Sequence, residues 1–173
     1  MDVTIGEFIK RDHDDFRLIF ERLWKSTPDE ISLRTELYPF LVNRILSHHV
    51  AEEATIFPAM EKNPDLVDTT LVLIEEHRGM AMLARDLQQT PYGDRLWRPR
   101  IFPFYDVINA HWTREEADLF PHSWFYFPRK EQEEFGAKFQ EVLAREWRLK
   151  KVHAGVPKVM FRRRSGPRSD HQE

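Results

Sequence analysis

Two stretches of this chain, SHHVAEEATIFP at residues 47 to 58 and AHWTREEADLFP at residues 110 to 121, repeat one pattern, HxxxEExxφFP with φ apolar. Registered on their Phe-Pro ends, His48 matches His111, Glu52 matches Glu115, Glu53 matches Glu116, Phe57 matches Phe120 and Pro58 matches Pro121, while His49 falls opposite Trp112. Helical positions four apart share a face, roughly 6 Å from one another. Each copy, read as helix, therefore aims an imidazole and a carboxylate in the same direction, which is how a helix offers two metal ligands.

Each copy is preceded by a helical pattern carrying one more inward histidine. In the first, Thr4 and Glu7 form a capping box, and Ile5, Phe8, Ile9, Phe16, Ile19, Phe20 and Leu23 recur at three- and four-residue steps. His13 falls inside that stripe and requires a polar partner. KSTPDE breaks this helix; the next places Leu41, Ile45, His48 and Glu52 on one stripe, with Pro39 at a start or kink. Asn63 and Pro64 read as N-cap and first position of a third helix, with Leu73, Ile74, His77, Met80, Leu83 and Leu87 on its apolar face. TPYGDR ends it, and a fourth helix starting near Pro99 or Pro103 carries Phe104, Ile108, His111 and Glu115. Asp12 and His13 echo Glu76 and His77, so the chain reads as a duplicated helix pair.

The predicted fold is all-α: an up-down-up-down four-helix bundle over residues 1–125, an additional C-terminal helix over 126–150, and a basic flexible tail over 151–173. The additional helix carries Phe135, Phe139, Val142 and Leu149 on one side, to cover the bundle or to meet a protein partner or second subunit as a homodimer. With 26 basic and 29 acidic residues, charge points to neither nucleic acid nor membrane, and the short run at 162 to 164 reads as solvated tail. No secretory h-region or bilayer-spanning run interrupts the charged N-terminal sequence, so a cytoplasmic location is expected.

The chain has no cysteine, which excludes thiolate zinc, iron–sulfur clusters and disulfides and leaves histidines and carboxylates as its strong ligands. Six converge in the bundle: His13, His48, Glu52, His77, His111 and Glu115. That set exceeds a tetrahedral zinc site and suits two adjacent octahedral metals, each with two imidazoles and sharing carboxylates. Iron fits best, with manganese next and zinc below it.

These residues resemble the hemerythrin-like, or HHE cation-binding, domains of bacterial type. The His, His, Glu order of that name occurs twice, as His13, His48, Glu52 and as His77, His111, Glu115. The resemblance implies a non-haem di-iron centre, two iron ions bridged by both carboxylates and an oxo or hydroxo oxygen. It also implies binding or sensing of dioxygen, nitric oxide or peroxide. Two departures separate the chain from the oxygen carriers. Their third helix carries two histidines four apart, whereas His77 has Leu73 before it and Ala81 after it; their last carboxylate is an Asp five beyond its histidine, not a Glu four beyond. With four inward histidines, both irons would keep exchangeable positions, favouring reaction over reversible storage.

Three function classes are consistent with such a centre: a module binding or sensing a small diatomic ligand or peroxide, a di-iron enzyme consuming peroxide or nitric oxide, and a protein that stores, donates or senses iron. His49 turns about 100° from His48 and is assigned to the surface or to a role behind the ligands. Glu53 and Glu116 lie off the ligand face, as supports for a ligand histidine or as solvated ion pairs. Tyr38 and Tyr105 are too far or too oblique for the centre, and the Phe-Pro pairs are read as closing the ligand helices.

Overall fold

The structure, a computed structural model, describes residues 3–151. The tail expected to be flexible falls from residue 152 onward outside the described residues, and with it the basic run at 162 to 164. Four long helices form the bundle: α1 (Ile5–Trp24), α2 (Ile31–Glu53), α4 (Val67–Gln88) and α5 (Trp97–Arg114). Short helices α3 (Phe57–Met60) and α6 (Phe120–Ser123) come after the two repeated blocks, and α7 (Arg129–Lys151) is last. No strand occurs among the described residues, nor any helix long and apolar enough to cross a membrane.

Local chemistry sets several of these boundaries. Thr4 and Glu7 form the expected capping box: the Glu7 carboxylate accepts from the Thr4 amide at 2.8 Å, and Thr4 Oγ1 accepts from the Glu7 amide at 3.4 Å. The third long helix starts later than its Asn-Pro signal suggests. Asn63 Oδ1 accepts from the Asp65 amide at 2.9 Å, a side-chain turn that delays the helix until Val67. Pro99 falls in the first turn of α5, where an amide hydrogen is not needed, whereas Pro39 and Pro103 lie inside helices.

Every neighbouring pair of long helices runs antiparallel. Along α1 and α2, Asp12 meets Arg44 while Arg22 meets Glu30; along α4 and α5, Glu76 meets Arg114 while Thr90 meets Arg100. α5 returns against α1, with Arg17 on Asn109 and Trp24 on Phe102. α2 returns against α4, with the Tyr38 hydroxyl donating to the Ala84 carbonyl at 2.8 Å and Glu53 at His77. The topology is up-down-up-down, and α7 lies across α1 and α2. Gly136 permits that contact, since a Cβ there would stand 2.8 Å from the Val3 carbonyl oxygen.

Two apolar clusters fill the bundle, one at each end. Phe16, Phe20, Tyr38, Leu41, Ile45, Met80, Trp97, Phe104 and Trp112 pack toward the loops at 25 to 30 and 89 to 96. Buried Arg34 ties those loops together, bonding Ser26 and the Tyr92 carbonyl and lying 4.8 Å from the Trp97 ring centre. Ile5, Ile9, Phe57, Met60, Leu73, Leu119, Phe120, Phe127, Phe139 and Val142 close the other end. Each fully buried Leu, Ile or Phe contributes roughly 1.5–3 kcal/mol, and the two plugs hold between them a layer of buried polar side chains. Leu83 and Leu149, assigned to apolar faces by periodicity, are exposed.

Candidate metal centre

The polar layer contains all six residues expected to converge. His13, His48, Glu52 and Glu115 are fully buried, and His77 and His111 nearly so. The Nε2 atoms of His13 and His48 face each other at 3.1 Å, and those of His77 and His111 at 3.2 Å. Each carboxylate spans the gap between these pairs. Glu52 lies 3.3 Å from His48 Nε2 with one oxygen and 3.5 Å from His77 Nε2 with the other. Glu115 does the same, 3.4 Å from His13 and 3.3 Å from His111.

Behind every imidazole stands a further carboxylate. The Nδ1 atoms of His13, His48, His77 and His111 lie 2.9, 3.1, 2.7 and 2.8 Å from Glu116, Asp12, Glu53 and Glu76. Glu53 and Glu116 thus support the histidine of a neighbouring helix. Asp12 and Glu76, to which helix spacing alone gives no role, support the next helix's histidine; their signal in the sequence is their place in the echo before His13 and His77. Three of the four are held by arginine: Arg44 bonds Asp12 at 2.7 Å, Arg17 bonds Glu116 at 2.8 Å, and Arg114 bonds Glu76. A carboxylate on Nδ1 favours a proton there and turns the Nε2 lone pair inward.

Burial and the neighbouring carboxylates push the histidines of this layer in opposite directions. Burial lowers the pKa of His13 well below the ordinary value, and His48 lowers it further. Burial also works against charge on His48 and His111, but Glu52 and Asp12 outweigh it at His48, and Glu115 and Glu76 at His111, raising each to about 10. The His111 hydrogen bond is the largest cause holding Glu76 down at about 2. Burial opposes charge on Glu115 too, yet His111 beside it keeps it ionised; Glu52 is raised by burial and by Glu115. In the metal-free fold, protons on His48 and His111 balance the carboxylates. Their folded pKa values lie above the unfolded one, so their stabilisation is complete below about pH 6.5 and fades as pH rises through 10. A cation entering at pH 7 must displace both protons. Calorimetry of metal loading in buffers of different ionisation enthalpy is expected to show net proton release that shrinks as pH approaches 10; release independent of pH contradicts this charge balance.

The two copies end differently. α2 stops at Glu53 and turns, whereas α5 passes into a π-helical turn over Glu115–Leu119. His-to-Glu spacing survives in both, since the Nε2 to carboxylate distance is 3.3 Å in each. Single π turns recur at functional sites because they re-aim the downstream side chains without dissolving the helix. The Phe-Pro pairs also do more than close the ligand helices: each proline opens the short helix after it, and both phenylalanines are buried in the end plug.

His49 is not at the surface. It is 3% exposed, and its ring stacks on His77 with centres 3.8 Å apart and planes 4° from parallel. A rotation of about 100° from the ligand face reaches solvent only when one side of a helix is covered, and α2 packs on α1, α4 and α7. Tyr38 lies in the far plug with its hydroxyl bonded to Ala84, and burial raises its pKa. Tyr105 packs beside Phe20 in that plug.

The donor set suits a cation. All four carboxylate oxygens of Glu52 and Glu115 are buried with no hydrogen-bond donor among the described residues, facing imidazoles whose other nitrogen is already engaged. Three overlapping groups, His13–His48–Glu52, Glu52–His77–Glu115 and His49–His77–His111, each bring ligand atoms within 4.8 Å of one another. An antiparallel bundle with such a layer defines a metal-binding helical protein. The chain belongs to the hemerythrin HHE cation-binding domain family, whose model matches residues 4–123. Its fold is similar to the crystal structure of a hemerythrin HHE cation-binding domain-containing protein from Mycobacterium kansasii, at 21% identity and a TM-score of 0.73, over 88% of this chain and 94% of that one. No curated protein matches the chain.

Proposed function

We propose that the chain holds two iron ions through His13, His48, Glu52, His77, His111 and Glu115, and uses them to bind or sense a small ligand: dioxygen, nitric oxide or peroxide. The observation that carries this reading is the pair of facing Nε2 sets, each reached by both carboxylates. One cation between His13 and His48 and another between His77 and His111 would share Glu52 and Glu115. Such a pair supplies redox and Lewis-acid chemistry. The protein's part is to fix the imidazoles by their Nδ1 carboxylates, to exclude bulk water with two apolar plugs, and to limit access by size. A layer with almost no exposed surface favours diatomics and peroxide over larger substrates.

The test is metal analysis of aerobically purified protein with absorption and Mössbauer spectra, then titration with dioxygen, nitric oxide and hydrogen peroxide. About two irons per chain and a spectrum that responds to one of these support the reading; a single iron, zinc alone or no metal refutes it. Catalytic loss of peroxide or nitric oxide would place the chain among enzymes, and release of iron to a partner among iron handlers.

The carboxylates behind the histidines give a finer test. Glu53→Ala and Glu116→Ala are expected to weaken iron binding by about 10- to 100-fold each, the usual cost of losing a group that orients a ligand. Glu75→Ala, at an exposed position beside Arg78, serves as control. Equal affinity in all three variants would make those carboxylates solvated ion pairs.

A further inference from the structure

A cavity of about 310 Å³ lies where α7 meets α1 and α2. Half of its lining comes from α7, beyond the residues 4–123 that the family model matches. Such a volume is at the small end of the range that takes a low-molecular-weight ligand. The lining is divided in character. Phe8, Leu143 and Trp147 supply apolar wall, with Trp147 edge-on against Phe40 at 5.2 Å. Arg11, Asp12, Arg44 and Gln140 supply the polar part. Two cations and one carboxylate leave one positive charge; Asp15, which both arginines influence, is not part of the lining.

Both guanidiniums have donors to give. Arg11 has no hydrogen bond or ion pair among the described residues, and its charge lies 5.8 Å from the centre of the Phe8 ring. Arg44 donates from Nη2 to Asp12 at 2.7 Å, while its buried Nε–H has no acceptor among the described residues. Buried N–H donors are ordinarily satisfied. A carboxylate matches the planar fork of a guanidinium, and an apolar body attached to it matches the remaining wall.

We propose that this cavity binds a small apolar monocarboxylate, which takes Arg11 and shares Arg44 with Asp12. The site lies outside the metal layer, and it stands whatever cation that layer contains. Arg44 nonetheless joins the two, because the Asp12 carboxylate it holds is the one on His48 Nδ1. The occupant and Asp12 compete for one guanidinium.

The experiment is isothermal titration calorimetry of the full chain with phenylacetate, compared with phenylacetamide, acetate and inorganic phosphate. Phenylacetate is expected to bind once per chain with a Kd of about 1 mM or below. The neutral amide loses the charge and acetate loses the ring, so each should bind at least about tenfold more weakly. Arg11→Ala should weaken phenylacetate by about 10- to 100-fold, whereas Arg78→Ala, at an exposed position on α4, leaves it unchanged. Asp12→Asn removes the competing carboxylate, and should tighten phenylacetate by about fivefold or more. A phenylacetate Kd above about 10 mM, equal binding of phenylacetamide, phosphate binding as tightly as phenylacetate, or an Arg11→Ala variant that binds like wild type overturns the site. Equal or weaker binding by a folded Asp12→Asn variant overturns the sharing of Arg44. Where that variant does not fold, Arg44→Lys, which keeps the charge and removes the fork, decides the same point, since unchanged affinity would exclude Arg44 from the site.

Discussion

Replacing Glu52 and Glu115 together with alanine is expected to abolish iron binding, with affinity lower by well over 100-fold. Loss of a group that merely orients a ligand costs about 10- to 100-fold, and each of these carboxylates reaches both histidine pairs directly. Either single substitution should loosen both metals at once, because one side chain serves two sites. The fold should survive. The two buried carboxylates oppose one another's charge, and without them His48 and His111 still have Asp12 and Glu76 on their Nδ1 atoms, so neither buried imidazole is left without a partner. Iron analysis and circular dichroism on the same preparation check this. Two irons retained by the double variant would disprove the assignment, and lost iron with lost helix would show that these residues hold the bundle rather than the metal.

Removing the metal from the unaltered chain should lower its melting temperature by roughly 8–16 °C. A ligand present at about 1,000 times its dissociation constant stabilises the folded state by about 4 kcal/mol, and a chain of this length shifts by about 2–4 °C per kcal/mol. The physical source is the polar layer itself, in which the buried carboxylates face protonated imidazoles at 3.3 Å in place of the cations. Calorimetric scans of loaded and chelated protein decide it. Superimposable curves would mean that the layer is indifferent to metal, and that its charges are balanced inside the protein.

Local and long-range features of the chain divide in how legible they are. The repeated blocks place His48 and Glu52, then His111 and Glu115, by helix spacing alone, and the apolar stripes around His13 and His77 turn those residues inward. The capping box at Thr4 and the span of α7 are local features with local signals. His49 escapes such reasoning because periodicity describes one face of a helix, while α2 is enclosed by helices from distant parts of the chain. The late start of α4 comes from a side-chain turn competing with the Asn-Pro signal, and Leu83 lies outside because an apolar stripe can be wider than the groove it faces. Nothing in EEADLFP distinguishes the π turn from the ordinary end of EEATIFP, although each opens with the same two glutamates. Pairing of Asp12 with His48, and of Glu76 with His111, depends on the antiparallel register, which no single helix encodes.

The C-terminal helix α7 makes the two sides of the bundle mechanically different. α7 lies on α1 and α2, with Phe139 edge-on against the His48 ring at 5.3 Å and Trp147 against Phe40, whereas α4 and α5 present Leu71, Val72, Met82 and Val107 to solvent. Amide hydrogens of α1 and α2 should therefore exchange only through near-global opening, while those of α4 and α5 exchange through smaller, more frequent excursions. Breathing of that kind would open the His77–His111 side first. The same helix that braces one half of the layer thereby sets the direction from which water, chelators and metal reach the interior.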